Sequence, residues 1–97
     1  MIRVIAMKSG MNLIADVEIN DQGAILKKPA AVVMQNSPNG ESMIGFSPYL
    51  IYTEEFNTGI AICYEDFIAV LTPEVEILNA YSKYFGSGIQ VASSLVL

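Results

Sequence analysis

From Ile2 to Met7 the chain is almost wholly apolar and β-branched, which predicts a strand. Lys8-Ser9-Gly10 then supplies a turn, and a two-residue alternation begins. Leu13, Ala15, Val17 and Ile19 share one face while Ile14, Asp16, Glu18 and Asn20 share the other, the pattern of a half-buried antiparallel strand. Asn20-Asp21-Gln22-Gly23 is a second turn, built from residues that bond their own backbone or tolerate left-handed conformations. A third strand is predicted over residues 24–35. Pro29 interrupts it, and a residue that cannot donate to a ladder implies a bend, a bulge or an edge position. Asn36-Ser37-Pro38-Asn39-Gly40-Glu41 is the strongest loop signal in the chain. Residues 43–53, with Gly45 and Pro48, predict a kinked strand, and 54–59 another loop. Two short strands, 60–64 and 67–71, follow, joined by a tight link at Glu65-Asp66.

At Thr72 the period changes. Thr72 as N-cap, Pro73 in the first helical position and Glu74 and Glu76 in the first turn predict a helix start. Val75, Leu78, Tyr81 and Phe85 follow at helical spacing, flanked by Ile77 and Tyr84, and the helix is expected to stop at Gly86 or Gly88. Residues 89–97 are short and apolar, and read equally as a last strand, an inter-subunit strap or a loose end. The organisation expected is one complete domain: a small, strongly bent, five-stranded antiparallel barrel over 1–71, a C-terminal helix over 72–88 packed on it, and a tail over 89–97.

Composition adds a partner to this picture. Of 97 residues, 53% are hydrophobic and only 15% charged, with a mean hydropathy of +0.44, against about 25% charged in an average globular domain. A chain this small buries a modest share of its surface alone, so the surplus of apolar residues predicts self-association. Net charge is −5, and the five cations Arg3, Lys8, Lys27, Lys28 and Lys83 form no basic stripe. Neutralising phosphates is the main source of sequence-independent affinity, so duplex DNA is not expected as a partner. Cys63 is the only cysteine, which excludes an intrachain disulfide and a cysteine-rich zinc site and fits a reducing compartment. Apolar runs such as 30–34 and 67–71 fall far short of the roughly 18–20 residues that span a bilayer. A soluble, cytoplasmic protein with no membrane partner is the expectation.

The run Val4-Ile5-Ala6-Met7-Lys8-Ser9-Gly10-Met11-Asn12-Leu13-Ile14-Ala15-Asp16-Val17 resembles the first Sm motif of the Sm-like family, in which a strand, a glycine turn and a second alternating strand open an SH3-type barrel. Ile62-Cys63-Tyr64-Glu65-Asp66-Phe67-Ile68-Ala69-Val70 resembles the second Sm motif, and looks most like the bacterial RNA-chaperone version, whose turn begins Tyr-Lys-His. The resemblance covers residues 2–71. It implies a closed homo-oligomeric ring of about five to seven subunits. The strand before the Glu65-Asp66 turn would pair with the strand after it in the next subunit, with Ile60, Ile62, Tyr64, Ile68 and Val70 at the interface. The trailing helix, with no helix before the first strand, is similar to divergent Sm-like proteins of tailed phages, for which the compartment would be the host cytoplasm.

Resemblance also implies single-stranded RNA as a partner, and here the residues diverge. Glu65 and Asp66 stand at the matching positions of the bacterial Lys and His, Cys63 at the position of the eukaryotic and archaeal Arg, and Ala6 and Asn12 where the opposite face of the bacterial ring has Tyr and Lys. Asp21 matches the Asp of the loop after the second strand, without the Met-Asn that follows it in relatives. The RNA-contact candidates are therefore Tyr64 for stacking, and Asn12, Asn20, Asp21 and Gln22 for hydrogen bonding. Against each stands a plain structural role: interface packing for the tyrosine, turn chemistry for the others. The rival to an RNA ring is a ring that serves as a protein-interaction scaffold, through the helix face and Tyr52, Tyr81 and Tyr84. The acidic pairs Glu65-Asp66, Glu54-Glu55 and Asp16 with Glu18 offer too few oxygens for a hard cation, so no metal is expected. Without a histidine, a phosphate loop or a base for Cys63 or the serines, neither catalysis nor a cofactor is expected.

Overall fold

The structure, a computed structural model, describes residues 1–36, 38–40 and 42–85. Strands β1 (Ile2–Met7), β2 (Asn12–Ile19), β3 (Gly23–Asn36) and β4 (Ser42–Pro48) are followed by a one-turn helix α1 (Glu55–Thr58). Strand β5 (Ile60–Cys63), a 3-10 turn (Tyr64–Asp66), strand β6 (Phe67–Leu71) and helix α2 (Val75–Phe85) complete the order. All strands join one antiparallel sheet in the order β4-β3-β2-β1-β6, with β5 also paired to β3. The sheet is not closed: among the described residues β5 pairs only with β3 and β6 only with β1.

The bend forms where Pro29 predicts it. Ile14 pairs with Ala30 and Asp16 with Lys27, so Ala15 stands opposite two residues, Lys28 and Pro29. This is a β-bulge, and Lys28 takes a φ of 51° to make it. Proline suits the site because a bulged residue has no ladder hydrogen bond to lose. The two carbonyls that the bulge releases are both satisfied: the Tyr81 hydroxyl donates to the Lys28 oxygen at 2.6 Å, and the Tyr49 N–H to the Pro29 oxygen at 2.8 Å.

Two cores result, one on each side of the curved sheet. Ile5, Leu13, Ala15, Val17, Ala24 and Leu26 fill the concave side. Ile14, Ala30, Phe56, Tyr81 and Phe85 form a second cluster on the convex side, beneath α2. Ile14 lies in the polar register of β2 and is nevertheless fully buried, because the helix covers it.

Six strands are present, one for each strand segment read from the sequence, where the expected barrel has five, and the reason lies in β3. Its first half, Gly23 to Leu26, pairs with β5, and its second half, Ala30 to Asn36, with β4. β4 and β5 are thus two halves of one strand, broken by residues 49–59. The kinked strand expected over 43–53 stops at Pro48, and α1 occupies part of the expected loop. Phe56 on α1 is buried against Phe85, their rings 6.0 Å apart, which ties the interruption to α2.

Helix α2 starts later than Thr72 predicts: the Glu74 carbonyl accepts the first bond, from the Leu78 N–H at 2.9 Å. Thr72 and Pro73 serve instead as the link from β6, with Pro73 buried. The buried stripe runs through Ile77, Tyr81 and Phe85, while Val75 faces outward. Tyr81 is consequently not a surface contact residue, as the scaffold reading expects, but a core one. The expectations for Gly86, Gly88 and the 89–97 tail lie outside the described residues. No helix among the described residues is long and apolar enough to cross a membrane.

Candidate functional site

Tyr64 lies where three segments meet. Its backbone N–H donates to the Gln22 carbonyl at 3.3 Å, its hydroxyl donates to the Asn20 carbonyl, and its ring lies 5.7 Å from that of Phe67 at 45°. The Asn20 side-chain oxygen in turn accepts the N–H groups of Gln22 and Gly23 at 2.8 and 2.9 Å. Asn20 therefore closes its own turn in the manner of an Asx turn and offers its backbone oxygen to Tyr64. Beside this junction Asn20, Gln22, Ala24, Ala61, Ile62 and Cys63 line a small cleft of about 110 Å³ over the paired strands β3 and β5.

The 3-10 turn is held by reciprocal caps. The Cys63 N–H donates to the Asp66 carboxylate at 3.0 Å and the Cys63 sulfur accepts from the Asp66 N–H, while the Asp66 carbonyl accepts the Lys8 N–H at 3.0 Å. Asp66 is thus a structural cap with a solvent-facing charge, and the spacing of a capping residue and an acid three positions on is the sequence signal for it. Cys63 is exposed and belongs to neither core. With Asp21, Glu65 and Asp66 all exposed, the junction carries three carboxylates, with Lys8 bonded through its backbone beside Asp66. Among the described residues no three Cys, Asp or Glu side chains gather closely enough to hold a metal ion.

Of the five residues singled out for RNA, the structure brings Asn20, Asp21, Gln22 and Tyr64 to one place and separates Asn12. Asn12 begins β2 at the other end of that strand, on the convex side near Leu71 and Thr72. The candidate interface residues divide as well. Ile62 and Val70 pack against the concave core, Ile60 is half-buried, and Tyr64 and Ile68 face solvent, Ile68 with 70% of its surface exposed. Side chains on β5 and β6 alternate between core and outside, and what these strands offer along their open edges is backbone. No family model matches the chain, and no curated protein matches it.

Proposed function

We propose that the chain is an Sm-like subunit of a closed homo-oligomeric ring, in which the free edge of β5 pairs with the free edge of β6 in the next copy. The observation that supports this most directly is the pair of edges itself. β5 and β6 are consecutive, joined by the 3-10 turn, and among the described residues each is bonded on one side only, to β3 and β1 respectively. Unpaired edges of this kind invite addition of another strand, and two complementary edges on one subunit generate a closed head-to-tail ring when the rotation permits. In this reading Ile68 becomes an interface side chain, and Ile62 and Val70 contribute backbone while their side chains stay in the core.

The ligand proposed for the ring is single-stranded RNA, held at the Tyr64 junction by stacking and by the Gln22 side chain rather than by charge. A specific observation favours the rival scaffold reading: the Tyr64 hydroxyl and the Asn20 side-chain oxygen are already engaged within the chain, and the exposed Asp21 and Glu65 are their chain neighbours. Both readings act without covalent chemistry.

Light scattering tests the assembly. The unaltered chain should have the mass of several subunits, and Ile68→Asp should give a monomer with an unchanged circular dichroism spectrum, since that side chain is solvent-exposed in the single chain and a carboxylate in a strand interface is strongly unfavourable. Ile62 and Val70 are unsuited to this test because a charge there would also enter the core. Titration with labelled oligo-A and oligo-U then decides the ligand. Binding should show a shallow salt dependence, because few phosphates can be neutralised here. A ring that binds neither oligonucleotide at low salt is the scaffold.

A further inference from the structure

We infer that the turn between β4 and α1 is a docking knob for a second copy, with Tyr52 and Ile51 of one subunit seated in the apolar groove at the start of α2 of the next. This rests on the edge-paired ring proposed above and extends it to a second contact.

The knob is built rigidly, and among the described residues Ile51 and Tyr52 belong to neither core. Tyr49 is tied to the β3 bulge, and the Leu50 carbonyl accepts both the N–H and the hydroxyl of Thr53, at 3.1 and 2.7 Å. Leu50 holds a φ of 59°, a conformation that bulky residues rarely adopt, and the buried Phe56 anchors the far side. These restraints present two consecutive large side chains to solvent, Ile51 at 51% exposure and Tyr52 at 77%. Rigid aromatic groups in such a setting are the usual anchors of protein interfaces.

The receiving groove has a volume of about 320 Å³ and crosses the convex side of the sheet from β6 to β4. Val4, Val32, Ile44, Leu71, Pro73 and Ile77 form its apolar lining. Leu71 and Val75, both exposed, mark the end nearest the β6 edge.

Strand polarity brings the two together. When β6 pairs antiparallel with the β5 of a neighbour, the C-terminal end of β6, at Leu71, lies beside the N-terminal end of that β5, at Ile60. The residues preceding Ile60 in the neighbour, which are those of the knob and α1, then continue past Leu71 toward the start of α2. The polarity holds for any register of the pairing.

The experiment uses the full chain with Cys63→Ser, to which Tyr52→Cys and Leu71→Cys are added singly and together. Under mild oxidation the double variant should give a ladder of covalent oligomers on a denaturing gel, and each single variant nothing beyond a dimer. Tyr52→Ser alone should raise the protein concentration at which the oligomer dissociates by at least about tenfold, the effect of removing an aromatic hot spot, with no change in the circular dichroism of the dissociated subunit. A ring of unchanged mass and stability in Tyr52→Ser, or a disulfide between the two introduced thiols that is confined to single chains, overturns the knob and leaves the edge-paired ring standing. Loss of assembly in Tyr52→Ser together with survival of Ile68→Asp as an oligomer overturns the edge pairing instead. A monomeric unaltered chain overturns both.

Discussion

Tyr81→Ala should destabilise the fold by about 3–5 kcal/mol, as truncation of a buried aromatic residue does, and so remove a large part of the roughly 5–15 kcal/mol that holds a domain together. Urea unfolding followed by circular dichroism measures it. Two separate losses contribute. The ring packs edge-on to Phe46 at 6.1 Å and against Phe85 at 4.9 Å, so its removal opens a cavity in the convex core. The hydroxyl satisfies the Lys28 carbonyl at the bulge, so its removal leaves a half-buried acceptor without this donor. Tyr81→Phe isolates the second loss and should cost about 1–3 kcal/mol. The same pair has a pH signature. Burial, and after it the Asp16 carboxylate, push the Tyr81 phenol well above its ordinary value of 10.0. The unfolded chain keeps the ordinary value, so its phenol ionises first as pH rises, and the folded state loses relative stability above about pH 10. The advantage of the unaltered protein over Tyr81→Phe should therefore be constant below pH 10 and shrink above it. An advantage that grows with alkaline pH contradicts this placement of Tyr81.

Gly23→Ala should be nearly as damaging, by about 3 kcal/mol or more, because the clash it creates falls on backbone rather than on side chains that can rotate away. A Cβ at Gly23 would lie 1.9 Å from the Ile62 carbonyl oxygen and 2.8 Å from the Cys63 Cα. Relief requires β5 to leave β3, which uncovers the concave core at Ala24 and Leu26 and removes one of the two edges that the proposed ring pairs. Loss of the oligomer and a lowered unfolding midpoint should appear together. Gly10→Ala is the informative comparison. Gly10 has a φ of 97° and no atom within 4 Å of the missing Cβ, so alanine there should cost only about 1–2 kcal/mol of backbone strain and leave assembly intact.

The sheet was legible in the sequence to an uneven degree, and the unevenness has physical causes. β1 and β2 follow from β-branched and alternating runs closed by Gly10, signals that belong to adjacent residues. Pro29 announces a bend because proline's missing N–H is a local fact. The break between β4 and β5 was legible only as a kink at Pro48, since Tyr49 to Thr53 carry strand-forming side chains, and the pairing of β4 ends at Pro48 beside the bulge on its partner strand. Thr72 and Pro73 look like a helix start, yet the chain uses them to turn from β6 onto the convex side, and the helix begins at Val75. For the Tyr64 junction, the sequence supplied the members Asn20, Gln22 and Tyr64, while their meeting depends on β3 bringing the β2–β3 turn beside β5.

By itself the sequence determined an antiparallel, mostly β chain with a bend at Pro29, a trailing amphipathic helix, an acidic surface and more apolar side chains than one small domain can bury. Each of these follows from covalent geometry, periodicity over a few residues or plain composition. Only the tertiary structure decided that Ile14 is core, that Tyr81 closes the bulge instead of meeting a partner, and that among the described residues β5 and β6 each keep one open edge. Those outcomes depend on long-range pairing, in which a residue's role is set by what is packed or bonded against it from a distant part of the chain.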